Sequence, residues 1–182
     1  MLLPIVVAAA FIITFSISNA NAAAVDYFLK IEGIPGESES PTHPNEIDVL
    51  SWSWGASQAC SLSGGGGGTS CVSSFSDVSF LKPLDKSSPH IFLAVATGQH
   101  LSKATLFGTT ATEKDTVDFL MITMTDVIVT SYQIGGSGED RPTDSISLNY
   151  AKIEFEYKPQ NKDGSFGSSI KTGWDLKKNT KV

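Results

Sequence analysis

Residues 135–160 read GGSGEDRPTDSISLNYAKIEFEYKPQ, a glycine-rich charged turn that opens straight into a long β-pattern. Gly135, Gly136 and Gly138 let the backbone enter the positive-φ region and Pro142 withholds a donor, which is turn chemistry. Beyond the turn, Ile146, Leu148 and Tyr150 point one way and Ser145, Ser147 and Asn149 the other, as a half-buried strand requires. The phase then reverses. Ile153, Phe155 and Tyr157 are apolar on the opposite parity, with Lys152, Glu154 and Glu156 between them. A strand that changes its buried face needs a bulge near Ala151 and Lys152, or it crosses from one sheet to another. Such a segment belongs to the wall of a β-barrel or sandwich, and it carries no catalytic triplet.

Working outward, most of the chain repeats the strand pattern. Residues 25–31 place Tyr27, Leu29 and Ile31 on one face and Asp26 and Lys30 on the other. Residues 47–57 form the next strand, with Leu50, Trp52 and Trp54 on a buried face and Ser51 and Ser53 opposite. Further strands fall at 72–81, 103–109, 116–124 and 126–134. Residues 33–44 contain three prolines and two glycines and read as an extended loop. One helix is expected: Ser87 or Ser88 caps it and Pro89 takes the first helical position. Ile91, Phe92, Val95 and Ala96 form its buried stripe, and Gly98 ends it. The fold class is therefore mainly β: a small antiparallel barrel or sandwich with one short α-helix and an extended loop.

Charge and motifs narrow the function. The chain has a formal net charge of −6. Its basic residues are scattered apart from Lys177, Lys178 and Lys181, read as a solvated tail. An acidic chain without a basic patch argues against nucleic acid and against an anionic membrane surface as partners. The three histidines, His43, His90 and His100, sit in no zinc-protease or nucleophile-elbow motif. The glycine run 64–68 lacks the Gly-Lys-Ser/Thr of a phosphate loop and reads as a hairpin tip. Glu139 and Asp140 beside Arg141 fit a local ion pair or a subunit contact better than acid–base work. No catalysis, cofactor or metal is expected.

Cys60 and Cys71, the only two cysteines, bracket the ten residues SLSGGGGGTS. They can close a disulfide in an oxidising compartment, worth about 3 kcal/mol for a loop of this size. Two free thiols on adjacent strands are the alternative. Without a nearby histidine, the pair supplies too few ligands for a metal.

Residues 1–22 contain no charged side chain, an apolar core from 2 to 15, and Ala20-Asn21-Ala22 as an A-x-A cleavage pattern. This reads as a secretory signal peptide, although it lacks the usual basic n-region, leaving a mature domain over 23–182. An uncleaved anchor and a misplaced start codon are the competing readings.

Several blocks, in order, resemble the Hcp family, the ring-forming tube proteins of bacterial type VI secretion. They are AVDYFLKIEGIPGES at 24–38, HPNEIDVLSWSWGASQ at 43–58, the glycine run 64–68, SFLKPLDKSSP at 79–89, the 135–160 stretch, and GWDLKKNTKV at 173–182. The resemblance implies a small β-barrel that forms homo-hexameric rings, stacks them into a tube, and works with effector cargo and other type VI components. It implies that the long loop contacts neighbouring subunits or rings. Candidate interface residues are Glu37, Ser38, Glu39 and His43 in the loop, Glu139, Asp140 and Arg141 in the turn, and Trp174 at the tail. Within such a tube, Ser51 or Ser53 would face the lumen; the alternative is that both are plain exterior positions. Family members do not need cysteines at 60 and 71, and tube subunits are ordinarily made without a leader. A leader places the chain outside the cytoplasm, secreted or reaching the surface through the periplasm, and leaves open a stand-alone binding module built on the same domain. A hydrolase is the third reading.

Overall fold

The computed structural model describes residues 24–61, 70–112, 115–138 and 140–182. Residues 1–22, expected as a leader, the glycine run 64–68 and Glu139 lie outside them. Twelve elements follow in order: β1 Val25–Ile31, β2 Ile47–Val49, β3 Ser51–Ser53, β4 Ala56–Ser61, β5 Ser70–Phe75, β6 Val78–Pro83, α1 Ser88–Thr97, β7 His100–Ala111, β8 Thr116–Gly135, β9 Thr143–Tyr157, β10 Ile170–Asp175 and β11 Thr180–Lys181. Nine strands form one antiparallel sheet in the order β11-β10-β9-β8-β7-β1-β2, with β6 joining β9 to β3. β4 and β5 form a second, two-stranded sheet. The mainly-β, one-helix expectation holds, but the sheet is not a closed barrel. β2 bonds β1 and β3 bonds β6, and the two short strands meet only through Leu50.

That break corrects the reading of residues 47–57 as one strand. Ile47 and Val49 are buried, whereas Leu50 is 57% exposed, and Trp52 and Trp54 resume the packing beyond it. The inward phase shifts by one residue at Leu50, so Leu50 does not share a face with the tryptophans. Trp54 Nε1 donates to Tyr150 Oη (2.6 Å), and Tyr150 Oη donates to the Ser76 carbonyl (3.1 Å). Burial pushes the Tyr150 hydroxyl above the ordinary tyrosine value. Its stabilising effect is therefore complete below about pH 10 and is lost as pH rises through the raised folded value. Tyr150→Phe leaves the Trp54 donor without this partner and is expected to lower stability by about 1–2 kcal/mol. In denaturant titrations the variant should also lose less stability than the parent on going to alkaline pH.

The phase reversal in β9 is real, and it is shared by its neighbour. Met124 faces Ile153 and Val127 faces Tyr150, three residues on along both strands, so register is kept while both strands turn over together. Asp126, at φ 54°, supplies the left-handed residue that permits the turnover. At that level β9 exchanges partners, from β6 along its first half to β10 along its second. β9 neither bulges near Ala151 and Lys152 nor crosses to a second sheet: it exchanges edge partners within the one nine-stranded sheet as it and β8 turn over together. β8 is one continuous strand where two were expected, with a register shift between Val129 and Ser131. Likewise 72–81 divides into β5 and β6, which lie in different sheets.

The helix is capped at its C-terminus by Gly98 at φ 64°, whose amide reaches the carbonyls of Ala94 and Val95. Its buried stripe is rotated from the expected one. Ile91 and Ala94 are fully enclosed, Val95 is half-buried, and Phe92 is 58% exposed. Core residues from β1, β6, β7, β8 and β9 join Ile91 and Ala94 in a single cluster.

Candidate functional site: a serine-lined sheet face and a loop–turn contact

Alternation places the small polar residues of β3, β6, β9 and β8 on the side of the sheet away from Val78, Phe80, Ile146 and Leu148. Register then aligns them across strands. Ser53 faces Ser79, Ser79 faces Ser147, and Ser147 faces Ser131, a row of hydroxyls spanning four strands. Ser51, Leu81, Ser145 and Gln133 form the adjacent row. Ser79 and Ser147 Oγ lie 3.0 Å apart. Asp77 accepts from Asn149 Nδ2 (2.7 Å) and from Thr130 Oγ1 at the edge of this face. Ser51 and Ser53 are exposed, as expected. Sequence reading singled out only these two for the lumen. Ser145 and Ser147 were legible as the polar face of β9, but their alignment with β3, β6 and β8 exists only through strand register.

The extended loop is not a loose surface segment. Ile34, Gly36 and Ser38 are buried while Pro35, Glu37 and Glu39 face outward. Gly36 N bonds the Asn45 carbonyl (2.8 Å) and Ser38 N the Glu46 carbonyl (2.9 Å). His43 is 4% exposed. Its ring stacks on Phe28 with centroids 4.6 Å apart and lies 4.7 Å from Phe107. Nδ1 meets Glu46 Oε2 and Nε2 meets Asp118 Oδ1, each at 2.9 Å. Thr109 Oγ1 donates to the same Asp118 oxygen (2.9 Å). Of the four loop candidates for subunit contact, Ser38 and His43 are therefore corrected: both side chains are enclosed within the protomer. His43 pins the loop to β1, β7 and β8, leaving Glu37 and Glu39 on the surface.

Glu37 brings loop and turn together. Its Oε2 accepts from Arg141 (3.2 Å) and its Oε1 from the Lys86 amide (2.9 Å). Both partners of the ion pair stay substantially exposed, so it is worth under about 1 kcal/mol and chiefly sets orientation. Glu37, Glu39, Asp48, Pro83, Asp85 and Arg141 line one concavity. Asp140 is exposed nearby in sequence. Trp174 lies elsewhere, half-buried on β10 opposite Ile153.

Sequence reading missed a buried charge cluster beside this concavity. Lys82 is fully enclosed. Its Nζ meets Asp85 Oδ1 (2.8 Å), Ser88 Oγ (2.9 Å), Asp144 Oδ2 (3.1 Å) and the Pro83 carbonyl (2.8 Å). Ser88 Oγ also donates to Asp144, and Tyr132 Oη reaches the other Asp144 oxygen (3.3 Å). Burial raises the Asp85 pKa, but hydrogen bonds from Lys82 and Ser87 and the Lys82 charge outweigh it and hold the carboxyl below its ordinary value. The signal was present: Val78, Phe80 and Lys82 share one parity of β6. The arrangement joins β6, the start of α1 and β9, and it offers structure, not a reacting group. Among the described residues, no cluster of three or more His, Cys, Asp or Glu could hold a metal. A disulfide joins Cys60 and Cys71 directly across β4 and β5.

This architecture is found in known proteins. Residues 28–157 match the family model described as type VI secretion system effector, Hcp. The chain belongs to the Hcp family. Protein hcp1 of Pseudomonas aeruginosa is 43% identical over 161 residues, covering 87% of this chain and 99% of that protein. The structure of Hcp1 from Salmonella typhimurium matches at TM-score 0.73 and 34% identity, over 87% of this chain and all but 1% of that one. A structure described as a type six secretion system protein matches at TM-score 0.81 and 32% identity, over 87% and 100%. As an Hcp, the chain is a structural tube component of type VI secretion, a secreted protein of a family that assembles into rings. Among the described residues, no helix is long and apolar enough to cross a membrane.

Proposed function

We propose that this chain forms homo-hexameric rings that stack into a tube, carries effector cargo along the lumen, and acts by assembly without catalysis. The hydroxyl row Ser53–Ser79–Ser147–Ser131 carries the reading. A channel wall for varied cargo must stay hydrated and must not adhere, and short hydroxyls on a flat sheet face meet both demands. Ser51, Ser53 and their row-mates line the lumen. Glu37, Glu39, Asp140 and Arg141, with Glu139 in the same turn and Trp174 on β10, contact neighbouring subunits.

Ser53→Gln puts a longer amide into the centre of that face. Co-purification of cargo with the ring should fall roughly tenfold, the effect of about 1.4 kcal/mol, while ring mass stays the same. Unchanged cargo recovery would remove Ser53 from the lumen. The ring itself is tested by determining the mature N-terminus and the native mass together. A hexamer beginning near Ala23 supports ring assembly outside the cytoplasm. A cleaved monomer overturns the tube and favours the second reading, an exported Hcp acting as a stand-alone binding module in the periplasm or at the surface. The leader-like segment and the disulfide give that alternative its support.

A further inference from the structure

We propose that the Cys60–Cys71 pair is a redox switch on an assembly arm: oxidised, it holds β4–β5 as an ordered strand pair against which a second copy of this chain docks, and reduced, it releases that order. The inference rests on the ring reading above and adds its regulation. β4 and β5 stand apart from the nine-stranded sheet. The hairpin is closed across its own base, where the Ser76 amide bonds the Gly55 carbonyl (2.9 Å) and Ser76 Oγ accepts from the Gly55 amide (2.9 Å). Residues 56–60 and 71–74 are all exposed, Val72 by 67%. A lone two-stranded hairpin is marginal in water. The covalent cross-link is therefore the element able to maintain its order, by restricting the open ensemble.

The arm's charge points to its partner. No residue between Asp48 and Asp77 is charged, in a chain of net charge −6. Exposed strand edges are usually protected by lysine, proline or a bulge. Here the ladder runs in unbroken register from Ala56↔Phe75 to Ser61↔Ser70, without any of these. An uncharged, unprotected edge can approach an equally acidic copy of the same chain without repulsion, and that copy offers an identical edge.

Both cysteines are exposed, so small thiols reach the bond. In oxidation the two thiols give up two protons and two electrons to a disulfide oxidant such as oxidised glutathione, which leaves as two thiols. A dithiol reverses the exchange. Assembly would then wait for an oxidising compartment.

The test uses the full mature chain in oxidised glutathione, in dithiothreitol, and as Cys60→Ser/Cys71→Ser. Native mass and amide hydrogen exchange are read together. Expected are assembly of the oxidised chain, loss of assembly on reduction or substitution, and exchange roughly tenfold faster in β4 and β5, with the nine-stranded sheet unchanged. Equal assembly and equal exchange in both redox states would overturn the switch while the ring reading stands. A chain whose arm responds to reduction but which stays monomeric in every state would overturn ring assembly and the docking of a second copy. Two titratable thiols persisting in oxidised glutathione would remove the disulfide altogether.

Discussion

Lys82→Met is expected to lower the unfolding free energy by about 3–5 kcal/mol, the largest loss anticipated from a single substitution here. The methionine fits the volume but withdraws the ammonium that, alone among the described residues, contacts Asp144, whose side chain is fully enclosed. Asp144 then keeps the Ser88 and Tyr132 hydroxyls as donors, too few to replace a buried counter-charge. A denaturant midpoint within error of the parent would show that the cluster does not hold β6, α1 and β9 together. Lys82→Met with Asp144→Leu should recover part of the loss, because an apolar pair removes both desolvated charges. The cluster also sets a pH dependence. The Asp85 carboxyl is held below its ordinary value, so its contribution is present above about pH 4 and is lost as pH falls through the depressed folded value. Lys82→Met should flatten that acid limb.

Gly36→Ala is the second large effect, about 3 kcal/mol, at the upper end of overpacking. A Cβ at this position would stand 2.2 Å from the Glu46 carbonyl oxygen and 2.6 Å from Ile47 Cα, both backbone. Neither can swing aside, so the segment 33–46 must leave its seat and release Ser38 and His43. Hydrogen exchange should rise across this loop and at Asp118, and on the subunit contact proposed for Glu37 the native mass should fall as Glu37 loses its place beside Arg141. An alanine variant that keeps parental exchange would show that the loop seats without this close approach. Gly33 offers the control: its φ of 85° disfavours alanine, but nothing lies within 4 Å of the added carbon. Its cost should be nearer 1 kcal/mol, the penalty for a left-handed residue.

What could be read directly followed local rules. Period-two alternation marked β1 and the core positions of β9. Gly98 marked the end of α1 and Pro89 its start to within one residue, because a left-handed cap and a ring-locked φ are properties of the residues themselves. The helix opens at Ser88, and Ser87 stands at the N-cap without a side-chain capping bond. The blocks at 24–38, 43–58 and 135–160 carried the family resemblance that the comparisons then established. Reading failed where a strand was interrupted without a turn residue. Nothing at Leu50 announces the change of partner from β1 to β6, and nothing at Thr125 or Asp126 announces that β8 continues. Helix α1 is apolar all round, so periodicity alone could not choose between Phe92 and Ala94 for the core.

The sequence by itself determined the fold class, the family, the helix ends, and the presence of a phase reversal in β9, each a matter of neighbours within a few residues. Only the tertiary structure decided which polar groups are enclosed and which stay on the surface. His43 meets Asp118 across 75 residues, Lys82 meets Asp144 across 62, and Arg141 reaches Glu37 across 104. Burial and pairing over such distances depend on how strands close on one another, and no local pattern encodes it. For the same reason, the two serines legible in β3 became a four-strand hydroxyl row only once β6, β9 and β8 were in register beside them.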